Sequence, residues 1–239
     1  MKSSPLKART WRFTPSKRHW ITRIILLTPV ALSLFFIILI LTYRFIDPPL
    51  TTLMAGQITS GRIITQNWIP LEKMSQYLPL AVIVSEDARF CEHRGVDWLE
   101  IKRSWSGKSH INEIRGASTI PMQTMKNLFL WPGRNILRKS MEIPLSYASS
   151  SIWSKKRMLE IYLNIAEWGP GVFGAESASQ YHFKKRASQL NRYEAALLAA
   201  SLPNPIVRKA GNAGPNLRLM ANLVQKRMVA GKRFGACVR

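Results

Sequence analysis

IVSEDARFCEHRGVD, residues Ile83 to Asp97, is the stretch from which the rest of the chain can be read. An apolar run, Ala81 to Val84, drives into two adjacent carboxylates, Glu86 and Asp87, and Phe90, His93, Gly95 and Asp97 follow within a few residues. Burial and like charge both oppose ionisation of a carboxylate pair at the end of a buried element, and so push a pKa up. Glu86 or Asp87 is thereby a candidate general acid or base. A helix end with solvated acids and a surface histidine has the same spacing, and both readings stand at this point.

Working outward, Ala81 to Ala88 reads as a helix that ends near the acids, and Pro70 and Pro79 bracket a shorter one. Asp97 and Glu100 have the spacing of a capping box, and Trp98, Ile101 and Trp105 recur at helical intervals, so a helix is expected over about 98–106. Gly107 to Gly116 is polar and glycine-bounded, a candidate mobile loop beside Glu86. Ser118 is placed to cap the next helix, with Pro121 in its first turn, where a missing N–H costs little. That helix carries Gln123, Lys126 and Asn127, and the turn Trp131-Pro132-Gly133 stops it. Asn135 to Trp153 is a long helical pattern that Pro144 interrupts or kinks, and Lys155 to Ala166 is another. A turn-rich loop around Gly169, Gly171 and Gly174 leads to a helix over about 175–183. Asn191 with Glu194 repeats the capping-box spacing ahead of a helix that Pro203 ends, and Pro215 opens the last one. Strands are scarce, and the class is mainly α.

Ahead of this body, Ile24 to Tyr43 contains no charged residue and is long enough to span the hydrocarbon core as a helix. Lys2, Lys7, Arg9, Arg12, Lys17, Arg18 and Arg23 precede it, an excess of cations that keeps the N-terminus cytoplasmic and puts the rest outside the inner leaflet. A signal peptide is the competing reading, but the apolar run is longer than an h-region and Tyr43-Arg44-Phe45 is a poor cleavage site. The expected organisation is a basic cytoplasmic segment over 1–23, a transmembrane helix over 24–43, a linker over 44–68 and one domain over 69–239. The net charge of +22 suits an anionic membrane surface or a phosphorylated, lipid-bound substrate. No nucleic-acid-binding motif appears, and an exported chain rarely meets nucleic acid. From Lys184 onward Glu194 is the single acid among many cations, either a solvated face or a docking face for anionic headgroups. Cys91 and Cys237 are able to pair in an oxidising compartment; equally, Cys91 beside Phe90 serves as a small buried hydrophobe.

A second constellation lies downstream. Arg134, Arg138 and Glu142 are spaced by four, which puts them on one helical face, and Lys126 on the preceding helix can point the same way, with Lys139 alongside. Cations converging on a carboxylate make either a phosphate clamp, with arginine supplying forked donors, or an ordinary helix-surface ladder. The clamp gives the acids a chemical context. Hydrolysing a sugar–sugar bond takes an acid for a poor leaving group and usually a second carboxylate. Transfer from a sugar pyrophosphate takes one base and positive charge where the anion develops. One candidate base plus a cationic cluster fits the transfer better.

The motifs resemble those of the glycosyltransferase domain of peptidoglycan polymerases, the monofunctional biosynthetic transglycosylases in particular. They are EDARFCEHRGVD (86–97), GASTIPMQTMKNLFL (116–130), RKSMEI (138–143), KKRMLEIYLNIAEWG (155–169) and GVFGAESASQYHFKK (171–185). The resemblance implies a lysozyme-like, two-lobed, mainly α domain behind one N-terminal transmembrane helix, in the bacterial inner membrane with the catalytic domain periplasmic. It implies Glu86 as the base that takes the proton from the C4 hydroxyl of the acceptor sugar on lipid II. That hydroxyl attacks C1 of the membrane-bound nascent glycan, and undecaprenyl pyrophosphate leaves with inversion. Ser118, Lys126, Arg134 and Arg138 resemble the pyrophosphate-contacting residues, and Glu142 the family's second glutamate, implied as a catalytic residue that orients the cations or assists at the donor diphosphate. Asp87, Gln123, Asn127 and Lys139 resemble cleft-shaping residues, with Phe90 and His93 in the first motif. Glu160, Tyr162 and Asn164 look structural. Mg²⁺ or Mn²⁺ accompanies some members, and other cell-wall synthesis and division proteins are implied partners.

The sequence departs from the family pattern in two places: Pro121 and Met122 stand where the second motif often has polar residues ahead of Gln123, and Pro144 falls inside a helix the family usually continues, where a local kink is expected. No ordered S-x-x-K, S-x-N, K-T-G set follows, so crosslinking activity is not expected. The rival readings are a lytic muramidase-like enzyme, against which the cation cluster speaks, and a non-catalytic membrane-anchored scaffold, for which Glu86 would be dispensable.

Overall fold

The computed structural model describes residues 15–105, 118–133, 135–230 and 235–238. The chain divides into two units, residues 1–39 and 40–239, the second being the body. Most of the first is helix α1 (Pro15–Tyr43), whose stretch Thr22–Tyr43 is long and apolar enough to cross a membrane. Ile25, Leu26, Leu27 and Leu34 on it are each more than half exposed, as a lipid-facing helix requires and a core helix does not.

The body is built around α3 (Tyr77–Glu86). The helix begins four residues earlier than its apolar run suggests, because Pro79 falls in the first turn, where its missing N–H has no intrahelical partner to lose. Leu78, Ala81, Val82, Ile83 and Val84 are all essentially inaccessible, and burying each larger aliphatic contributes about 1.5–3 kcal/mol. Helices α9 (Arg192–Ser201) and α10 (Pro215–Ala230) pack on α3 and on each other. The alanines of α9 permit that close approach, and Asn191 and Glu194 form the expected capping box at its start.

A second group consists of α5 (Ile120–Phe129), α6 (Ile136–Ile152) and α7 (Lys155–Ile165), with α5 packed on the other two. The cap of α5 is Thr119, whose hydroxyl accepts from Met122 N at 3.3 Å; Ser118, expected in that role, instead accepts from Lys139. Asn135 caps α6 through Arg138 N. Pro144 does not divide this helix, which runs unbroken for 17 residues at the cost of one backbone donor.

The segment 44–68, expected as a linker, is part of the body. It contains α2 (Thr52–Thr59), with Met54 fully buried, and the Thr52 hydroxyl donates to Leu130 O at 2.6 Å. Its strand β1 (Thr65–Gln66) pairs in parallel with β3 (Val172–Phe173), which pairs antiparallel with β2 (Glu167–Gly169). Proline and glycine at 48, 49, 56 and 61 suggest a spacer, but packing of Met54 and sheet pairing outweigh local propensity. Helix α4 (Trp98–Trp105) follows the Asp97 cap, and α8 (Ala175–Phe183) completes the body. The expected mobile loop over 107–116 lies outside the described residues. Cys91 and Cys237 are joined by a disulfide, which ties the turn after α3 to the short 3-10 helix Ala236–Val238.

Candidate active site

Glu86 is the last residue of α3, half-buried between the two helix groups. The Gln123 Nε2–H donates to Glu86 Oε2 at 2.9 Å, and the Tyr162 hydroxyl donates to Gln123 Oε1 at 3.0 Å. Helices α3, α5 and α7 thus each place one member of a short relay. The tyrosine fixes which end of the amide faces the carboxylate, since it occupies the carbonyl. Burial drives the Glu86 pKa up, the Gln123 hydrogen bond opposes this, the Asp87 charge adds to the rise, and Lys126 and Arg208 pull back. Burial, then the charges of Glu86 and Asp87, raise the Tyr162 pKa well above its ordinary value, so its O–H remains a donor. A cavity of about 370 Å³ opens at Glu86, lined also by Ser85, Ser118, Thr119 and Arg227.

Asp87 has the opposite surroundings. Its Oδ1 and Oδ2 lie 2.8 and 3.0 Å from His93 Nε2, and Oδ2 also accepts from Ile120 N at 2.9 Å. That amide opens α5, so the carboxylate sits at the positive end of a helix. The sequence offers two adjacent acids; the structure consumes one in holding α5 and, among the described residues, leaves the other with a single side-chain donor. Phe90 is fully buried beneath this turn. The Thr119 hydroxyl donates to Gly95 O at 2.5 Å, and Arg89 reaches Asp97 at 3.3 Å. Gly95 has φ +99°, and a Cβ there would lie 2.6 Å from Ser146 O of α6, so both backbone conformation and space demand glycine.

The second cluster gathers on Glu142, 2% exposed in α6. Arg138 Nη1 donates to its Oε1, and Lys139 Nζ donates to its Oε2 at 2.9 Å and to the Ser118 hydroxyl at 2.8 Å. Burial pulls the Lys126 pKa down; Glu142 counters this, and Arg138 and Lys139 reinforce it. Three cations therefore share one buried counter-charge, and the buried Arg138 Nε has no partner among the described residues. An anion placed here would meet net positive charge and a free donor. Arg134, assigned to the same face by sequence, lies outside the described residues.

Other sequence candidates sit apart from this geometry. The backbone carbonyl of Asn127 accepts from the Thr52 hydroxyl at 3.2 Å, in the contact of α2 with α5, and its side-chain Oδ1 is buried without a partner among the described residues. Glu160 accepts from Leu71 N at 2.9 Å and from Arg157 at 2.5 Å. Asn164 bonds both the N–H and the carbonyl of Ile69, so these two hold the segment before α3 against α7. Tyr162, grouped with them by sequence, instead reaches the relay. A hard divalent cation takes oxygen ligands. The oxygens of Asp87 and Glu142 are taken by N–H donors, and no cluster of three or more His, Cys, Asp or Glu side chains exists among the described residues. Asp87 and Glu142 by themselves therefore offer no oxygen cage for a resident Mg²⁺ or Mn²⁺.

Comparison with known proteins gives one consistent result. The transglycosylase family model matches residues 55–229. A biosynthetic peptidoglycan transglycosylase of Agrobacterium fabrum is 48% identical over 216 residues, covering 90% of this chain and 95% of the relative. Its counterpart in Rhizobium etli is 41% identical over 230 residues, covering 94% and 99%. That of Pasteurella multocida is 44% identical over 196 residues, covering 79% and 80%.

Proposed function

The chain belongs to the transglycosylase family, and from that premise we propose that Glu86 is its general base and the Glu142 cluster its pyrophosphate site. The protein is a peptidoglycan glycosyltransferase that polymerises lipid II into glycan strands, with a lysozyme-like body held at the inner membrane by α1 and lying on the periplasmic side. Both substrates are confined to the bilayer, so an anchor replaces a three-dimensional search with a local one. The basic stretch after Lys184 rests on anionic headgroups in this reading, and crosslinking proteins act on the product.

The acceptor's C4 hydroxyl hands its proton to the free oxygen of Glu86 while its oxygen forms a bond to C1 of the growing glycan. The bond from C1 to the phosphate oxygen breaks on the opposite face, so configuration inverts. Negative charge grows on the departing undecaprenyl pyrophosphate, where Lys126, Arg138 and Lys139 meet it, with Arg134 and Ser118 assisting. Gln123 orients the base and leaves one carboxylate oxygen uncommitted among the described residues. Glu142 keeps the cations together in the absence of substrate.

The observation that carries this reading is the contrast in donors: among the described residues Glu86 has one amide N–H and a raised pKa, and the cations have gathered on a different carboxylate. The test is lipid II polymerisation by the detergent-solubilised full chain. Glu86→Gln is expected to lose about a hundredfold or more in rate, the contribution of a positioned base, with folding and membrane association intact. Full activity of that variant would remove the assignment. Product from finished glycan but not from lipid II would favour the muramidase reading.

A further inference from the structure

Helix α7 opens with three consecutive cations, Lys155, Lys156 and Arg157, at the positive end of its own dipole. That placement is unfavourable unless each is held by something else. Lys156 pairs with Glu72 at 2.9 Å, and Arg157 with Asp47 and Glu160. Lys155 has no carboxylate within ion-pair distance among the described residues. Its Nζ donates to Phe90 O and, at 2.6 Å, to His93 O, and it stands 4.4 Å from the centre of the Phe90 ring.

We infer that Lys155 is a positioning residue for the transfer reaction, a cation that grips the turn after Glu86 and through it sets the geometry of the base. This rests on Glu86 being that base. The grip works in steps. Lys155 fixes the carbonyls of Phe90 and His93. The ring of His93, thereby placed, bonds both oxygens of Asp87. Asp87 holds the first amide of α5, and α5 carries Gln123 to Glu86. At its other end α7 supplies Tyr162 to the same Gln123. One helix therefore braces the base from two directions, and loosening either brace lets the carboxylate wander from the acceptor hydroxyl, where small displacements are costly.

The same lysine gives the brace a pH limit. Burial pulls its pKa down to about 8, against the favourable charge of Asp87. The charged or titratable groups on the turn it faces are Asp87, Arg89, Glu92, His93 and Arg94. Arg89 and Glu92 pair with each other, and Arg94 is exposed. On its own helix Lys156 and Arg157 have the partners named above, and the disulfide-linked segment Ala236–Val238 brings no titratable side chain. Above about pH 8 the ammonium becomes an amine, which keeps two donors and loses its attraction to the Phe90 face and to Asp87.

Three variants test this in the full chain: Lys155→Met, Lys155→Arg and Glu86→Gln. In K155M, kcat on lipid II should fall about tenfold or more with KM within about twofold, a loss of geometry and not of substrate binding. In K155R, whose guanidinium does not titrate, activity at pH 7 should be largely restored and the alkaline limb of the kcat profile should move above that of the parent. Amide hydrogen exchange over residues 87–97 and at Ile120 should quicken in K155M, whatever the role of Glu86. Parental kcat in K155M, or an alkaline limb unmoved in K155R, overturns the proposal. Should K155M fail to fold, K155R still decides through its alkaline limb. Faster exchange in K155M together with an active E86Q would leave the grip standing and remove the base.

Discussion

Glu86, closing α3, and Glu142, within α6, are the same side chain in opposite surroundings. Among the described residues Glu86 has one neutral donor, a neighbouring acid and enough burial to lift its pKa. Glu142 is deeper, yet Arg138 and Lys139 occupy its two oxygens. On the proposed reading, the difference teaches that function here is assigned by what is left unpaired. A carboxylate whose partners are few and neutral remains able to take a proton, and one saturated by cations becomes a scaffold that keeps a positive site assembled until an anion arrives.

The sharpest way to break this comparison is to neutralise both residues in parallel. E86Q should lose about a hundredfold or more in rate and unfold no more easily than the parent, since it removes a charge that the fold penalises. Glu142→Gln should show the reverse emphasis. It leaves Arg138 buried without its counter-charge, and so should destabilise the fold by about 3 kcal/mol in chemical denaturation, with activity falling as the cations spread. If the two variants gave the same pattern, the division of roles would fail.

A smaller effect sharpens the Glu86 side alone. Tyr162→Phe removes the hydroxyl that fixes the Gln123 amide and leaves the ring in place. Its expected cost is about 1 kcal/mol of stability with a rate loss of a few fold, read from denaturation and initial-rate measurements. A parental rate would show that the amide needs no such support.

How far the sequence could foresee this contrast depends on the range of the interactions. The buried run into Glu86 and Asp87, the capping box at Asn191 and the proline opening α10 are local patterns, and each appears where local rules put it. So does the convergence of Arg138, Lys139 and Glu142, because i+3 and i+4 spacing on a helix is itself geometry. Long-range pairings were not legible. Nothing local separates Glu86 from Asp87; their roles part because Ile120 and His93 reach one, and Gln123 the other. Tyr162 reads as a structural residue, and its hydroxyl finds Gln123 only once α5 and α7 pack. The segment 44–68 reads as a spacer from its prolines and glycines; the alternation of TSGRIITQNWIP (59–70) does suggest a strand, and β1 lies in it, but the partner beyond residue 170 is not legible. Lys155 did leave a signal, a cation in the first turn of a helix, visible to anyone asking why a charge sits against a dipole.

The central claim is that Glu86 is a base with a raised pKa, and the pH dependence of kcat/KM for lipid II polymerisation tests it most directly. The rate depends on the ionised carboxylate, so it should rise with pH along a limb lying above the ordinary glutamate value of about 4.3. Stability should move the other way. A pKa raised in the folded state means that the folded protein binds more protons across that window, so stability falls as pH climbs through it. The account predicts an acid limb displaced upward in the parent, and loss of both that limb and the stability slope in E86Q. An acid limb at or below the ordinary glutamate range, or one that persists in an active E86Q, would contradict it.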